Sequence, residues 1–117
     1  GKTLRAFTHV SDVVPPLVKL ARTKARTGSR VYNLGGKESI SLTRLVSFIE
    51  KALGRSAKMH LLPAIPGDMP ETVADTNKAR RELSYRPKIS IEKGASEFAE
   101  WYQANASWLE KLHEPKA

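Results

Sequence analysis

Hydrophobic and polar positions alternate along this chain with two periods, one of two residues and one near 3.6. Arg5-Ala6-Phe7-Thr8-His9-Val10 alternates and is rich in β-formers, which predicts a strand over 5–10. Ser11 and Asp12 follow as an N-cap signal. Val14, Leu17, Val18 and Ala21 then recur at helical spacing, with Leu20 beside them. Pro16 disfavours the α region at Pro15, so the regular helix is expected to begin at about Pro16, as its first residue. Thr27-Gly28-Ser29 reads as a loop. A short strand is predicted over 30–34, ending at the Gly35-Gly36 turn, and a brief extended piece over 39–41. Ser41 then caps a helix whose stripe is Leu42, Leu45, Val46, Ile49 and Leu53, with Gly54 where a C-terminal glycine is wanted. A further strand is predicted over 58–62, stopped by Pro63.

Between 64 and 74 periodicity is lost. Two prolines and a glycine there predict a loop of functional length, the most mobile internal segment of the chain. Asp75 is expected to cap a short helix through Leu83, with Ala79 and Leu83 toward the core and Tyr85 and Pro87 packing the following turn. Ser90 caps the last helix, placing Ile91, Ala95, Phe98 and Tyr102 on one face; residues 113–117 should fray. Strands alternating with helices predict an α/β or mixed α+β arrangement, with about four helices and three to four short strands. The strands do not obviously close a sheet among themselves, so partners outside the chain are expected.

At 117 residues the chain is one domain or part of one. Starting at Gly1 rather than Met, it is expected to be a processed or truncated product, or to carry a tag scar. No apolar run approaches the ~20 residues of a spanning helix. The absence of cysteine removes disulfides, a thiolate nucleophile and Cys-based zinc sites. His60 and His113 are too far apart to suggest a metal site. The net charge of +8 gathers at Arg22, Lys24, Arg26 and Arg30 and again at Lys78, Arg80, Arg81, Arg86 and Lys88. Such a balance fits anionic partners (phosphate groups, nucleic acid, acidic membrane) or a solvated basic face. The chain has neither a Gly-x-x-Gly-x-x-Gly turn for a dinucleotide nor a Tyr-x-x-x-Lys pair.

Three stretches carry a resemblance: Arg5-Ala6-Phe7-Thr8-His9-Val10-Ser11-Asp12; Gly67-Asp68-Met69-Pro70-Glu71-Thr72-Val73-Ala74-Asp75-Thr76; and Leu83-Ser84-Tyr85-Arg86-Pro87-Lys88. Together they resemble the C-terminal end of the extended short-chain dehydrogenase/reductases that act on nucleotide sugars, most of all the UDP-glucuronate 4-epimerases. The resemblance implies the C-terminal substrate-binding portion of a Rossmann-type enzyme, residues 1–112, with 113–117 as a frayed tail and the N-terminal NAD-binding part absent. It implies that Arg5 contacts the diphosphate of the nucleotide sugar, as a guanidinium fork suits phosphate oxygens. Asp68 would accept hydrogen bonds from the ribose hydroxyls, with Gly67 permitting the turn before it. Taken as residues alone, Arg5 is equally a solvated strand-end arginine and Asp68 an ordinary turn aspartate. Asn33-Leu34-Gly35 would bring the chain near the nucleotide pocket, and the 75–87 motif would be structural.

Five positions depart from the family pattern. Ala6 and Ser11 stand where relatives are acidic, Ile65 where some are basic or amide, and Ser84 where glycine is usual. A serine held at φ > 0 costs on the order of 1 kcal/mol. His9, at an aromatic position, is expected to pack rather than act as a base.

The family holds NAD tightly, oxidises the sugar at C4 and returns the hydride to the other face, with a tyrosine base helped by a lysine and a Ser or Thr. None of those residues maps here. The resemblance therefore assigns substrate binding to Arg5 and Asp68, and no catalytic, cofactor-binding or metal-binding residue. NAD is expected in the complete family enzyme and no cofactor in this chain alone. The expected partners are a weakly held UDP-sugar and either the missing NAD-binding domain or a second copy of the chain; no metal or nucleic acid is expected. The alternative is a small basic non-catalytic module that binds nucleic acid or protein; the +8 charge favours it, and no nucleic-acid motif supports it.

Overall fold

The computed structural model describes residues 3–24, 28–63 and 65–113, excluding the side chains of Glu110, Leu112 and His113. Thr27 of the expected loop, Arg26 of the first basic cluster, Ala64 and the tail from 114 lie outside the described residues. The elements run β1 (Leu4–Arg5), α1 (Val10–Ala21), β2 (Ile40–Ser41), α2 (Leu42–Leu53), β3 (Glu71–Thr72), α3 (Asn77–Leu83) and α4 (Ile91–His113). Among the described residues, four helices and three short strands, in a mixed sheet, give the α/β arrangement that the pattern predicts.

The sheet order is β2-β1-β3, antiparallel on the first side and parallel on the second. Arg5, on the central strand, stands opposite Ile40 and Thr72. The Leu4 N–H donates to the Pro70 carbonyl at 2.8 Å and the Ala6 N–H to the Thr72 carbonyl at 3.3 Å. Pro70 lacks an N–H, which fits the edge of a sheet.

The strands correct the reading from periodicity. β3 lies within the stretch expected to be a loop. Segments 30–34 and 58–62 join no ladder among the described residues, and only Arg5 of 5–10 does. Alternation supplies a strand's surface but not its neighbour, and pairing is what stabilises it. Met59, Leu61 and Leu62 remain 57%, 71% and 76% exposed.

Helix α1 begins at Val10, not at Pro16. His9 occupies the N-cap, its Nδ1 accepting the Ser11 N–H at 3.3 Å, and the Asp12 N–H donates to the His9 carbonyl at 3.0 Å. Pro15 and Pro16 then sit inside the helix, where each removes one bond to the preceding turn. Asp12 is not the cap. Its two carboxylate oxygens accept the N–H groups of Lys88, at 2.9 Å, and Ile89, at 3.1 Å, tying the start of α1 to the approach to α4.

The other helix ends follow local chemistry. Ser41 Oγ accepts the Arg44 N–H, and Gly54 closes α2 in the left-handed region. Ser90 Oγ accepts the Lys93 N–H at the start of α4. Asp75 accepts the Asn77 N–H at 2.9 Å, although Thr76 holds the N-cap position of α3. Ser84 ends that helix at φ 60, the one non-glycine positive φ among the described residues.

Ala79, Leu83 and Tyr85 form a buried cluster, with Leu20, Tyr32 and Leu34 packed on it. The buried stripe of α4 is Ile91, Ala95 and Ala99, at i, i+4 and i+8. Phe98 and Tyr102, expected inside, are 54% and 42% exposed. Helix α4, 23 residues long, packs on α2, 12 residues long.

The fold is open for its size. Its surface is 9655 Å², against about 6,300 Å² for a self-contained protein of this mass. Its radius of gyration is 17.8 Å, against about 13 Å for a compact domain of this length.

Candidate substrate-binding site

Arg5 and Asp68, 63 residues apart in sequence, meet in the structure. Nη2 of Arg5 donates to Asp68 Oδ1 at 2.7 Å, while Nη1 donates to the carbonyls of Leu4, at 2.8 Å, and Met69, at 2.9 Å. The parallel pairing of β1 with β3 creates the meeting. Gly67 turns the chain at φ 85, the Asp68 N–H closes the turn on the Ile65 carbonyl, and Pro70 keeps Met69 extended into the ladder. The side chains are 29% and 43% exposed, so the pair is reachable from solvent. The Met69 carbonyl is the contact that sequence reasoning missed; Pro70 after Met69 was the available signal.

Gly35 and Gly36 pass close beside this strand. A Cβ on Gly36 would collide with the Phe7 carbonyl oxygen, and one on Gly35 would stand 2.8 Å from the Ala74 Cβ. Thus Asn33-Leu34-Gly35 does run next to β1 and the segment after β3. A cavity of about 500 Å³ there is lined by Ala6, Thr8, Leu34, Gly35, Met69 and residues 71–74; neither Arg5 nor Asp68 lines it.

His9 has a structural role. Its Nδ1 accepts from Ser11, and its Nε2 faces Glu97 Oε2 at 3.3 Å. Its ring packs against Gly94, in a largely apolar groove of about 680 Å³ that also takes in Phe7, Ile49, Phe98 and Trp101. His60 is exposed, and the side chain of His113 lies outside the described residues. Among the described residues no group of three His, Cys, Asp or Glu could hold a metal ion.

The basic clusters partly meet around a carboxylate. Glu82 Oε2 accepts the Tyr32 hydroxyl at 2.6 Å and faces Arg30 at 3.4 Å, while Lys78 reaches the Val31 carbonyl and lies over the Tyr32 ring. The Tyr32 hydrogen bond, with the charges of Lys78, Arg30 and Arg81, holds the Glu82 carboxyl below its usual range.

No protein-family model matches the chain. Individual proteins do. It is 36% identical over 112 residues to an uncharacterized Methanocaldococcus jannaschii protein, covering 96% of this chain and 34% of that one. It is 35% identical over 115 residues to UDP-glucuronate 4-epimerase 5 of Arabidopsis thaliana, covering 87% and 26%. Among solved structures, the Bacillus cereus UDP-glucuronic acid 4-epimerase in complex with UDP-glucuronic acid and NAD superposes with a TM-score of 0.72 at 32% identity, covering 97% and 34%. The chain spans about a third of the length of the curated relatives it matches. Fold and sequence together make it homologous to part of the sugar-nucleotide epimerases of the extended short-chain dehydrogenase/reductase class. Within that class, its relatives at 30–36% identity include several UDP-glucuronate 4-epimerases.

Proposed function

We propose that this chain is the nucleotide-sugar-binding portion of an NAD-dependent UDP-sugar epimerase of the UDP-glucuronate 4-epimerase type, catalytically incomplete alone. The observation that carries the reading is the meeting of Arg5 with Asp68 at 2.7 Å. These two residues, assigned by resemblance to the diphosphate and the ribose, converge at one exposed place. Arg5 would take the phosphate oxygens through its fork, and Asp68 would accept from the two vicinal ribose hydroxyls.

NAD supplies the hydride chemistry in the complete family enzyme. The residues present here do not fit it. The cofactor site needs glycines at a strand-to-helix turn, whereas Gly35 and Gly36 are wedged against Phe7 and Ala74 and the next helix starts only at Leu42. No cofactor is assigned to this chain alone. The large exposed surface supports a further partner, the NAD-binding part of such an enzyme or a second copy.

The test is a chemical-shift titration with UDP, UMP and uridine. Affinity is expected in the millimolar range at best, about −4 kcal/mol. Arg5→Ala should abolish phosphate-dependent binding, and Asp68→Ala should flatten the preference for ribose over deoxyribose. Shifts confined to residues 22–30 and 80–88, lost on adding salt, would overturn the reading.

A further inference from the structure

We propose that Asp68 is an internal competitor at Arg5, a tethered counter-anion that makes the site reject simple anions and accept a ligand bringing an anion together with a vicinal diol. The ligand half of this rests on the nucleotide-sugar reading; the competition rests on the geometry alone. The Arg5 guanidinium already donates to one carboxylate and two carbonyls, at 2.7, 2.8 and 2.9 Å. Both partners are held from behind, Arg5 by the central strand of the sheet and Asp68 by the Gly67 turn, whose backbone bond to the Ile65 carbonyl is 3.1 Å. The pairing is therefore built into the backbone.

An oxyanion that binds the same edge of the guanidinium must displace the Asp68 carboxylate or lie beside it. Displaced, the carboxylate loses its charged partner; left in place, it repels the newcomer. Inorganic pyrophosphate offers Asp68 nothing in exchange. A nucleoside diphosphate offers two hydroxyl donors, so Arg5 and Asp68 change partners together and neither charge is stranded. Discrimination thus comes from an ion pair that must be broken, as well as from contacts that are made.

The experiment titrates inorganic pyrophosphate and UDP separately into the full chain and into Asp68→Asn, following amide shifts. Asparagine is close in shape to aspartate, and the position is exposed, so the turn should be kept; Asp68→Ser repeats the test with a different side chain. Both variants should bind pyrophosphate about two- to fivefold more tightly than the parent, the factor a solvent-screened ion pair is worth. The gain should vanish when Arg5→Ala is added. Unchanged, weaker or undetectable pyrophosphate binding in both variants overturns the proposal, as does a gain that survives Arg5→Ala. If pyrophosphate behaves as expected and UDP does not bind the parent, the competition stands and the nucleotide reading falls. If UDP binds and the variants gain nothing for pyrophosphate, the nucleotide reading stands and the competition falls.

Discussion

The Tyr85 hydroxyl donates to the Gly35 carbonyl at 2.7 Å, across 50 residues of sequence. Tyr85 is 2% exposed. It links the turn after α3 to Gly35, whose neighbour Gly36 lies against Phe7, two residues beyond Arg5. A buried ring thus holds the segment beside the strand that presents Arg5. Tyr85→Phe keeps the packing but leaves the Gly35 carbonyl without its donor, and should cost about 1–3 kcal/mol. Urea unfolding at constant m-value would measure it; a midpoint equal to the parent's would mean that the carbonyl has found another donor.

The same ring makes stability depend on alkaline pH. Burial, then the nearby Asp12 charge, raises the Tyr85 hydroxyl above its usual value of 10.0. A raised value means that the folded state holds its proton more tightly than the unfolded one. The stabilisation is present in full below pH 10.0 and is lost as pH rises from there through the folded-state value. The thermal midpoint should therefore fall more steeply above pH 10.0 in the parent than in Tyr85→Phe. Parallel curves for the two proteins would contradict this.

Asp12 fastens α1 to the approach to α4 through two backbone donors, and Ile89 is the less exposed of the two. Asp12→Ala strands both N–H groups and should cost about 1.5–3 kcal/mol, the range for hydrogen bonds to a charged group. Asp12→Asn keeps one acceptor and should cost less. Amide exchange at Ile89 is the local readout: it should quicken in both variants, more in Asp12→Ala.

These contacts show which parts of the molecule were legible in the sequence. Caps are local events, so Ser41, Gly54 and Ser90 could be read directly; the positive φ of Ser84 was signalled only by the glycine that the resembling family usually has there. Arg5 and Asp68 were singled out through their motifs. Their contact was not, because it depends on two strands of two residues each pairing in parallel, too short to leave a period. The burial of Phe98 and Tyr102 was misread for a related reason: helical spacing defines a face, and only the neighbouring helix decides how much of that face is covered. Asp12 offered a helix cap by its position, and the distant N–H groups of Lys88 and Ile89 took it instead.

Ser84 carries a removable cost. At φ 60 and ψ 30 its side chain stands where an L-residue is disfavoured, and glycine is the usual occupant of that helix-ending position. Ser84 is exposed, so Ser84→Gly should disturb little packing. It should relieve about 1 kcal/mol of strain, less what glycine adds to the freedom of the unfolded chain. A modest rise in urea midpoint is expected. A fall would mean that the serine side chain makes a stabilising contact that outweighs its backbone conformation.

Helix α1 is apolar on more than one side. Pro16 and Leu20 face inward, yet Val10, Val14, Leu17 and Val18 remain 64%, 46%, 52% and 40% exposed. An exposed stripe of this kind loses free energy by meeting another apolar surface, at roughly 25 cal/mol for each Å² covered. In solution the available surface is a second copy of the chain, and self-association is the expected result. Sedimentation equilibrium should show a weight-average mass that rises with concentration. Leu17→Lys should return the chain to a monomer while leaving its thermal midpoint almost unchanged, because Leu17 is already half in water. The isolated chain, with its small core, should also unfold below ~65 °C, the upper end for mesophile domains. A parent that stays monomeric at its solubility limit and unfolds sharply above that temperature would show that the stripe needs no partner.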